Sequence, residues 1–307
     1  SEPLHNNLKY DNTSSIDDRG FPFKVPQHFK NRIDVNDPND PLLKQVLPSP
    51  EEQVHTVGFK EDPVADLDNN PIPSLIHKYH GRVLLIASPK CDIHCRYCFR
   101  KHFPYEEQVN QRLWDKAIDY IQKDSSRHEE ILSGGDPMAL NEVSLMTLIE
   151  KVEAIDQVRT LRVHSRTPVA APDKAPQKTF LDWVKTTRLK VVLVIHCNHA
   201  NELSASTRAL FQLYKQAGIT LLNQSVLLKG VNDDSDTLEK LSHQLFDQGV
   251  LPYYLNQLDR VQGSAHFEVE DTKAILIHQA LKTRLPGYLV PKLVKDIAGV
   301  GNKSHLC

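Results

Sequence analysis

From Arg82 onward the sequence alternates short apolar runs with stretches of helical periodicity, and that rhythm restricts the fold more than any other feature. The runs fall at residues 83–87, 130–132, 161–163, 191–195, 221–228 and 253–255. Between them Leu113, Trp114, Ala117, Ile118 and Ile121 share one helical face, as do Leu203, Leu210, Phe211 and Tyr214, and later Leu238, Leu241 and Leu245. Gly218 and Gly249 stand where helix-ending glycines belong. Strands alternating with helices pack as a parallel sheet, and near-continuous apolar strands fit burial on both faces. The predicted class is α/β, closed as an open or partial barrel, with a doubly wound sheet as the second choice.

The rhythm also divides the chain. Residues 1–75 read as an irregular, Pro- and Asp-rich extension with one short amphipathic piece around residues 42–47. Residues 76–285 carry the barrel, and 286–307 form a C-terminal segment. The formal net charge of -2 gives no basic field for nucleic acid. No apolar run approaches the roughly 20 residues of a membrane span. The first residues lack the basic and apolar regions of a secretory signal, so a cytoplasmic protein is expected.

Polar segments follow the strands: a cysteine triplet after the first, Ser133-Gly-Gly-Asp after the second, His164-Ser-Arg after the third, His196-Cys-Asn-His after the fourth and Asp259 after the sixth. Parallel α/β folds place chemistry at the carboxyl ends of strands, so these segments should meet on one rim. Cys91, Cys95 and Cys98 form a CxxxCxxC pattern, while Cys197 and Cys307 stand apart. Thiolates are the usual ligands of iron–sulfur clusters, and a cubane held by three of them leaves one iron open. Zinc is the competing ligand, with His94 or Cys197 as a fourth donor. Gly134 and Gly135 would let the backbone approach a ligand closely, with Asp136 available to accept from an ammonium.

Cys91-Asp-Ile-His-Cys-Arg-Tyr-Cys-Phe-Arg resembles the cluster motif of radical S-adenosylmethionine enzymes, and Ser133-Gly-Gly-Asp-Pro their glycine motif. That likeness implies a partial (β/α)6 barrel, a [4Fe-4S] cluster and S-adenosylmethionine. Further segments resemble the lysine 2,3-aminomutase family: Asp40-Pro-Leu-Leu-Lys-Gln-Val-Leu-Pro, His77-Lys-Tyr-His-Gly-Arg-Val-Leu-Leu, Ser165-Arg-Thr-Pro-Val, Asn223-Gln-Ser-Val-Leu-Leu-Lys-Gly-Val-Asn-Asp and Gly287-Tyr-Leu-Val-Pro. Cys95-Arg-Tyr-Cys-Phe-Arg-Lys-His-Phe-Pro-Tyr is most similar to the short bacterial branch that makes (R)-β-lysine for elongation factor P.

The resemblance implies a pyridoxal 5'-phosphate-dependent isomerase with site residues carried over by motif. Lys303, in Gly299-Val-Gly-Asn-Lys, matches the pyridoxal phosphate lysine. Asp259 and Asp296 match the pair that holds the substrate ε-ammonium, and Arg100 the grip on its carboxylate. Tyr79, Arg82 and Gln224 match positions near pyridoxal phosphate. Ser133, Gly134, Gly135, Asp136, His196 and Asn198 fall near S-adenosylmethionine. The glycine run before Lys303 is thinner than in some members, and the cysteine-rich zinc segment of the longer enzymes has no counterpart, so their assembly does not carry over. An electron-donating reductase and enzymes of the elongation factor P pathway are the implied partners, and a homo-oligomer is possible. A non-catalytic iron–sulfur or zinc protein, a radical enzyme without pyridoxal phosphate, and glutamate or arginine as substrate are the alternatives; two acids in the pocket disfavour glutamate.

Overall fold

The computed structural model describes residues 21–307, so the first twenty residues of the predicted 1–75 extension lie outside the described residues. One sheet of nine strands organises the chain: β1 (Leu75–Tyr79), β2 (Arg82–Ser88), β3 (Glu129–Gly134), β4 (Thr160–Ser165), β5 (Lys190–His196), β6 (Thr220–Val226), β7 (Leu251–Asn256), β8 (Lys292–Lys295) and β9 (Ser304–His305). Strands β2 to β8 run parallel, while β1 and β9 are antiparallel additions at the two ends. Each strand neighbours its predecessor, so the order never reverses. A doubly wound sheet requires such a reversal, so the fold is the partial barrel.

The six predicted apolar runs all lie in parallel strands, although the fifth reads two residues past the end of β6. β1, β8 and β9 were not anticipated. They are short or charged, and their pairing rather than their pattern makes them strands.

Outward-facing residues such as Leu85, Leu132, Val163 and Leu255 are buried against helices, together with Leu148, Phe211 and Leu241. The helices begin at side-chain caps: Asn110 for Gln111–Gln122, Asn141 for Glu142–Glu153, Ser204 for Ala205–Ala217 and Asp234 for Ser235–Asp247. Each such cap contributes about 1 kcal/mol. Gly218 ends its helix at φ 105, a left-handed conformation that a side chain would strain.

The inward-facing residues are different in kind. Arg82, Ser133, Arg162, His164, Gln224 and Asn256 point into the barrel, where a closed eight-stranded barrel would stack branched apolar side chains. A polar lining leaves the interior open. The short helices Gln27–Lys30 and Leu43–Val46 bring Phe29, Leu42 and Val46 onto Ile93 of the cysteine loop, so this arm roofs the site. No helix among the described residues is long and apolar enough to cross a membrane.

One strand residue is out of character. Glu130 is fully buried in β3, and neither carboxylate oxygen has a hydrogen-bond partner among the described residues. Burial holds its carboxyl well above the usual range; Glu129 adds to this and Arg127 opposes it. A raised carboxyl keeps its proton in the folded chain after the unfolded chain has lost its own. Stability therefore falls as pH rises from about 4.3 towards the folded value. Glu130→Gln cannot titrate and escapes that fall. The variant should gain on the order of 2 kcal/mol near neutral pH, a few degrees in thermal unfolding, and the gain should shrink towards pH 4. A gain independent of pH would contradict this account.

Candidate active site

The cysteine loop leaves β2 at Ser88 and places Cys91, Cys95 and Cys98 as free thiols on one wall of a cavity of about 530 Å³. Burial pushes the Cys91 thiol well up, and Asp136 and the other two sulfurs add to it. Burial, then Cys95, raises the Cys98 thiol to about 11. Thiols in that setting ionise when a metal compensates them, and a three-thiolate donor set with open space beside it fits an iron–sulfur cubane. The two candidate fourth ligands for zinc are engaged elsewhere. The His94 ring stacks on Phe21 with Nδ1 2.7 Å from the Pro22 carbonyl, and the fully buried Cys197 sulfur lies 3.4 Å from the His199 carbonyl. Among the described residues no group of three or more His, Cys, Asp or Glu forms a single-ion site.

Contacts from the arm fix the loop's shape. Arg96 donates from Nε and Nη2 to both oxygens of Glu52 (2.8 and 2.6 Å), and from Nη1 to the Phe21 carbonyl (2.9 Å). Lys24 Nζ donates to the Cys91 carbonyl at 2.6 Å. A buried bidentate pair of this kind orients as well as attracts.

The glycine segment lies directly under this loop. The Gly135 N–H donates to the Ser88 carbonyl (2.8 Å) and the Asp136 N–H to the Lys90 carbonyl (2.7 Å). A Cβ at Gly135 would sit 2.5 Å from the Lys90 carbonyl oxygen, so glycine is required by the loop backbone itself, apart from any ligand. Asp136 lines the cavity, but its carboxylate is already filled. Oδ1 accepts from the Met138 N–H and the Ser165 hydroxyl, and Oδ2 from the N–H groups of Arg166 and Thr167. These four acceptor positions knit the ends of β3 and β4 together. Ser133 Oγ accepts from Arg100 Nη1 at 3.1 Å.

Among the charged residues that line the cavity are two ion-paired groups. Arg100 Nε donates to Asp66 (2.7 Å), whose other oxygen pairs with Lys78 (2.7 Å). Burial acts to raise the Asp66 carboxyl, but Arg100 and Lys78 outweigh it and hold it below its ordinary value. Arg100 is thereby locked, and its Nη2 has no partner among the described residues. In the other group the β8–β9 pairing sets Lys295 opposite Ser304, which brings Lys303 onto Asp296, with Nζ to Oδ2 at 3.3 Å. Asp259 stands half-buried nearby, its carboxyl pushed up to about 7 by burial, with Lys303 opposing and Asp296 adding to the shift. Lys303 Nζ also lies 5.9 Å from the Tyr254 ring centroid. Tyr79, beneath the Arg82 guanidinium at 4.6 Å, and Gln224 complete this wall. Burial, then Asp296, raises the Tyr79 hydroxyl to about 12.

His196 lines the cavity with Nε2 2.9 Å from the Tyr97 hydroxyl. Asn198 does not line it. It is fully buried; its side-chain amide donates to Gln45 and the Tyr97 hydroxyl, and its side-chain carbonyl accepts from the Val226 N–H. Sequence reasoning missed Asp66, Lys78 and Arg162, and it put His164 and Arg166 on the rim without giving them a role; all five line the cavity. His164 Nε2 is buried with no hydrogen-bond partner among the described residues, and burial holds the ring's pKa at about 3, helped by Arg162, Arg100 and Lys303. Polar residues at alternate positions of apolar strands, as in Arg162 and His164, were the available signal. Asp66, in irregular chain, offered none.

A sequential parallel partial barrel with three free thiols at its carboxyl rim defines a class, the radical S-adenosylmethionine type of iron–sulfur fold. Residues 80–199 match the 4Fe-4S single cluster domain family. The fold is similar to a radical SAM methyltransferase from Sphaerobacter thermophilus, with a TM-score of 0.51 at 16% identity over 72% of this chain and 68% of that one. The chain belongs to the L-lysine 2,3-aminomutase family. It is 45% identical to the L-lysine 2,3-aminomutase of Escherichia coli K12 over 93% of this chain and 83% of the relative. The Haemophilus influenzae protein of that name is 44% identical over 92% and 84%, and that of Clostridium subterminale 36% over 91% and 67%.

Proposed function

We propose that this chain is an isomerase that converts (S)-α-lysine to (R)-β-lysine, with the product used to modify elongation factor P. The observation that carries the reading is the Lys303 ammonium 3.3 Å from Asp296 Oδ2 in one cavity that Asp259, Arg100 and the cysteine triplet also line. An amino acid with a second ammonium matches that charge pattern end for end.

In this reading Cys91, Cys95 and Cys98 would hold a [4Fe-4S] cluster, and Lys303 would carry pyridoxal phosphate with Tyr79, Arg82 and Gln224 beside it. The Ser133–Asp136 segment and His196 border S-adenosylmethionine. Bound there, these groups supply hydrogen-atom abstraction and an electron sink for migration of an amino group. The protein's own contribution is position and charge. Arg100, fixed by Asp66 and Ser133, offers its free Nη2 to the substrate carboxylate. Asp259 and Asp296 take the ε-ammonium once Lys303 has turned to its cofactor. The arm over the cysteine loop keeps water from the reacting atoms. Cytoplasmic location, a reductase as electron source and a homo-oligomer belong to the same reading.

An anaerobic assay with lysine, pyridoxal phosphate, S-adenosylmethionine and dithionite should yield β-lysine by chromatography, and omitting any one component should abolish it. Turnover of arginine or glutamate in preference to lysine would overturn the substrate assignment.

The acids provide a sharper test. Removing one member of a desolvated charge cluster costs about 2–5 kcal/mol, so Asp259→Asn and Asp296→Asn should each lower kcat/KM for lysine by roughly 30-fold or more. Iron content and uncoupled cleavage of S-adenosylmethionine should survive. The ammonium needs an ionised Asp259, so wild-type kcat/KM should rise as pH passes about 7 and level off above it. That limb should vanish in Asp259→Asn. Near-normal lysine turnover in both variants would remove the argument for a lysine substrate.

A further inference from the structure

Arg166 follows β4 and is only 6% exposed, yet residues from four distant segments converge on its guanidinium. Nη1 lies 2.6 Å from the Cys95 sulfur and 2.6 Å from the Tyr97 hydroxyl. Nη2 donates to Gln45 Oε1 (2.8 Å) and Glu202 Oε2 (3.1 Å). Its backbone N–H is held by Asp136 at 2.8 Å, and its guanidinium sits 5.4 Å from the Phe29 ring centroid. Glu202 is fully buried; its Oε1 accepts from Gln45 Nε2 and from the N–H groups of Asn198 and His199. A guanidinium and its counter-carboxylate are thus fixed, out of water, against the sulfur of one cluster cysteine.

Hydrogen bonds to the sulfurs and nearby charge are principal determinants of an iron–sulfur cluster's reduction potential. Reduction adds one negative charge spread over iron and sulfur. A guanidinium aimed at a ligand sulfur stabilises the reduced form more than the oxidised one, and a carboxylate behind it opposes this at longer range. We propose that Arg166 is a positioning residue that sets the cluster's potential through its contact with the Cys95 sulfur, with Glu202 as its counter-charge. The proposal rests on the reading that the triplet carries a [4Fe-4S] cluster.

The test is a dye-mediated potentiometric titration of the anaerobically reconstituted full chain, followed by the paramagnetic signal of the reduced cluster. At a potential where the wild-type cluster is half reduced, Arg166→Gln should lower the ratio of reduced to oxidised cluster by about tenfold, the equivalent of one charge-assisted hydrogen bond. Arg166→Lys, which keeps the charge but not the fork, should fall between. Glu202→Gln leaves the guanidinium uncompensated and should move the ratio the opposite way. Loosened packing would admit water and raise the potential in every variant, so opposite signs separate the proposal from a merely structural role. An Arg166→Gln protein with normal iron content and an unchanged or raised midpoint would overturn it. If that variant takes up no iron, unchanged midpoints in Arg166→Lys and Glu202→Gln would do the same. A wild-type chain that takes up no iron would instead refute the cluster reading.

Discussion

Replacing Cys91, Cys95 or Cys98 with Ala should abolish the cluster and, with it, all cleavage of S-adenosylmethionine. In the proposed reading each cysteine would be the sole donor to its corner, and the two other candidate ligands weighed are engaged elsewhere: His94 is turned to the arm and Cys197 is buried beside His199. Iron bound per chain, about four in the wild type after anaerobic reconstitution, should fall to background in each variant. Cys197→Ala and Cys307→Ala should keep their iron. Cys197 loses only a core sulfur, and the exposed Cys307 touches the His278 ring far along the chain from the triplet. Stoichiometric zinc in place of iron after anaerobic purification would defeat the reading outright.

Lys303→Ala should remove the covalent attachment of pyridoxal phosphate and lower lysine turnover by several orders of magnitude. Borohydride reduction of the wild type should fix the cofactor to the peptide that contains Lys303, and the variant should show no such label. The site favours this lysine on geometric grounds. The β8–β9 pairing brings it to the cavity wall, which neither the exposed Lys292 nor Lys295 lines. Losing Lys303 also strips Asp296 of its cation, so added lysine should protect the variant against heat more than the wild type, as a ligand that fills an unpaired acid pocket does. Label on Lys292 or Lys295 would show that the tail is read in the wrong register.

The two tests separate because the cysteines and Lys303 come from different segments, the loop after β2 and the stretch between β8 and β9. Cysteine variants should still take the borohydride label, and the Lys303 variant should still hold iron. A structural loss of fold would take both together.

Much of this protein was legible in one dimension. Strand and helix periods are local, so the repeating unit from Arg82 onward declares a parallel α/β sheet without any contact being known. The triplet is local as well: three thiols within eight residues must share a loop, whatever surrounds it. The contacts around the motif residues were not legible in the same way. Asp136 lay in a recognisable segment, but only the fold brings Ser165, Arg166 and Thr167 to fill its oxygens. Asn198 was near the rim in sequence but turns away from it, towards Gln45 and Tyr97.

The tertiary structure alone decided the closure of the sheet, the charge map of the cavity and the burial that tunes it. The strand order separates a partial barrel from a doubly wound sheet, and order is a property of long-range pairing. Asp66 meets Arg100 and Lys78, and Arg166 meets Cys95 and Glu202, across separations that no sequence period records. The same holds for electrostatics. A carboxyl near 7 at Asp259 and a neutral ring at His164 arise from water excluded by distant segments, and desolvation is set by everything packed around a group rather than by its neighbours in the chain.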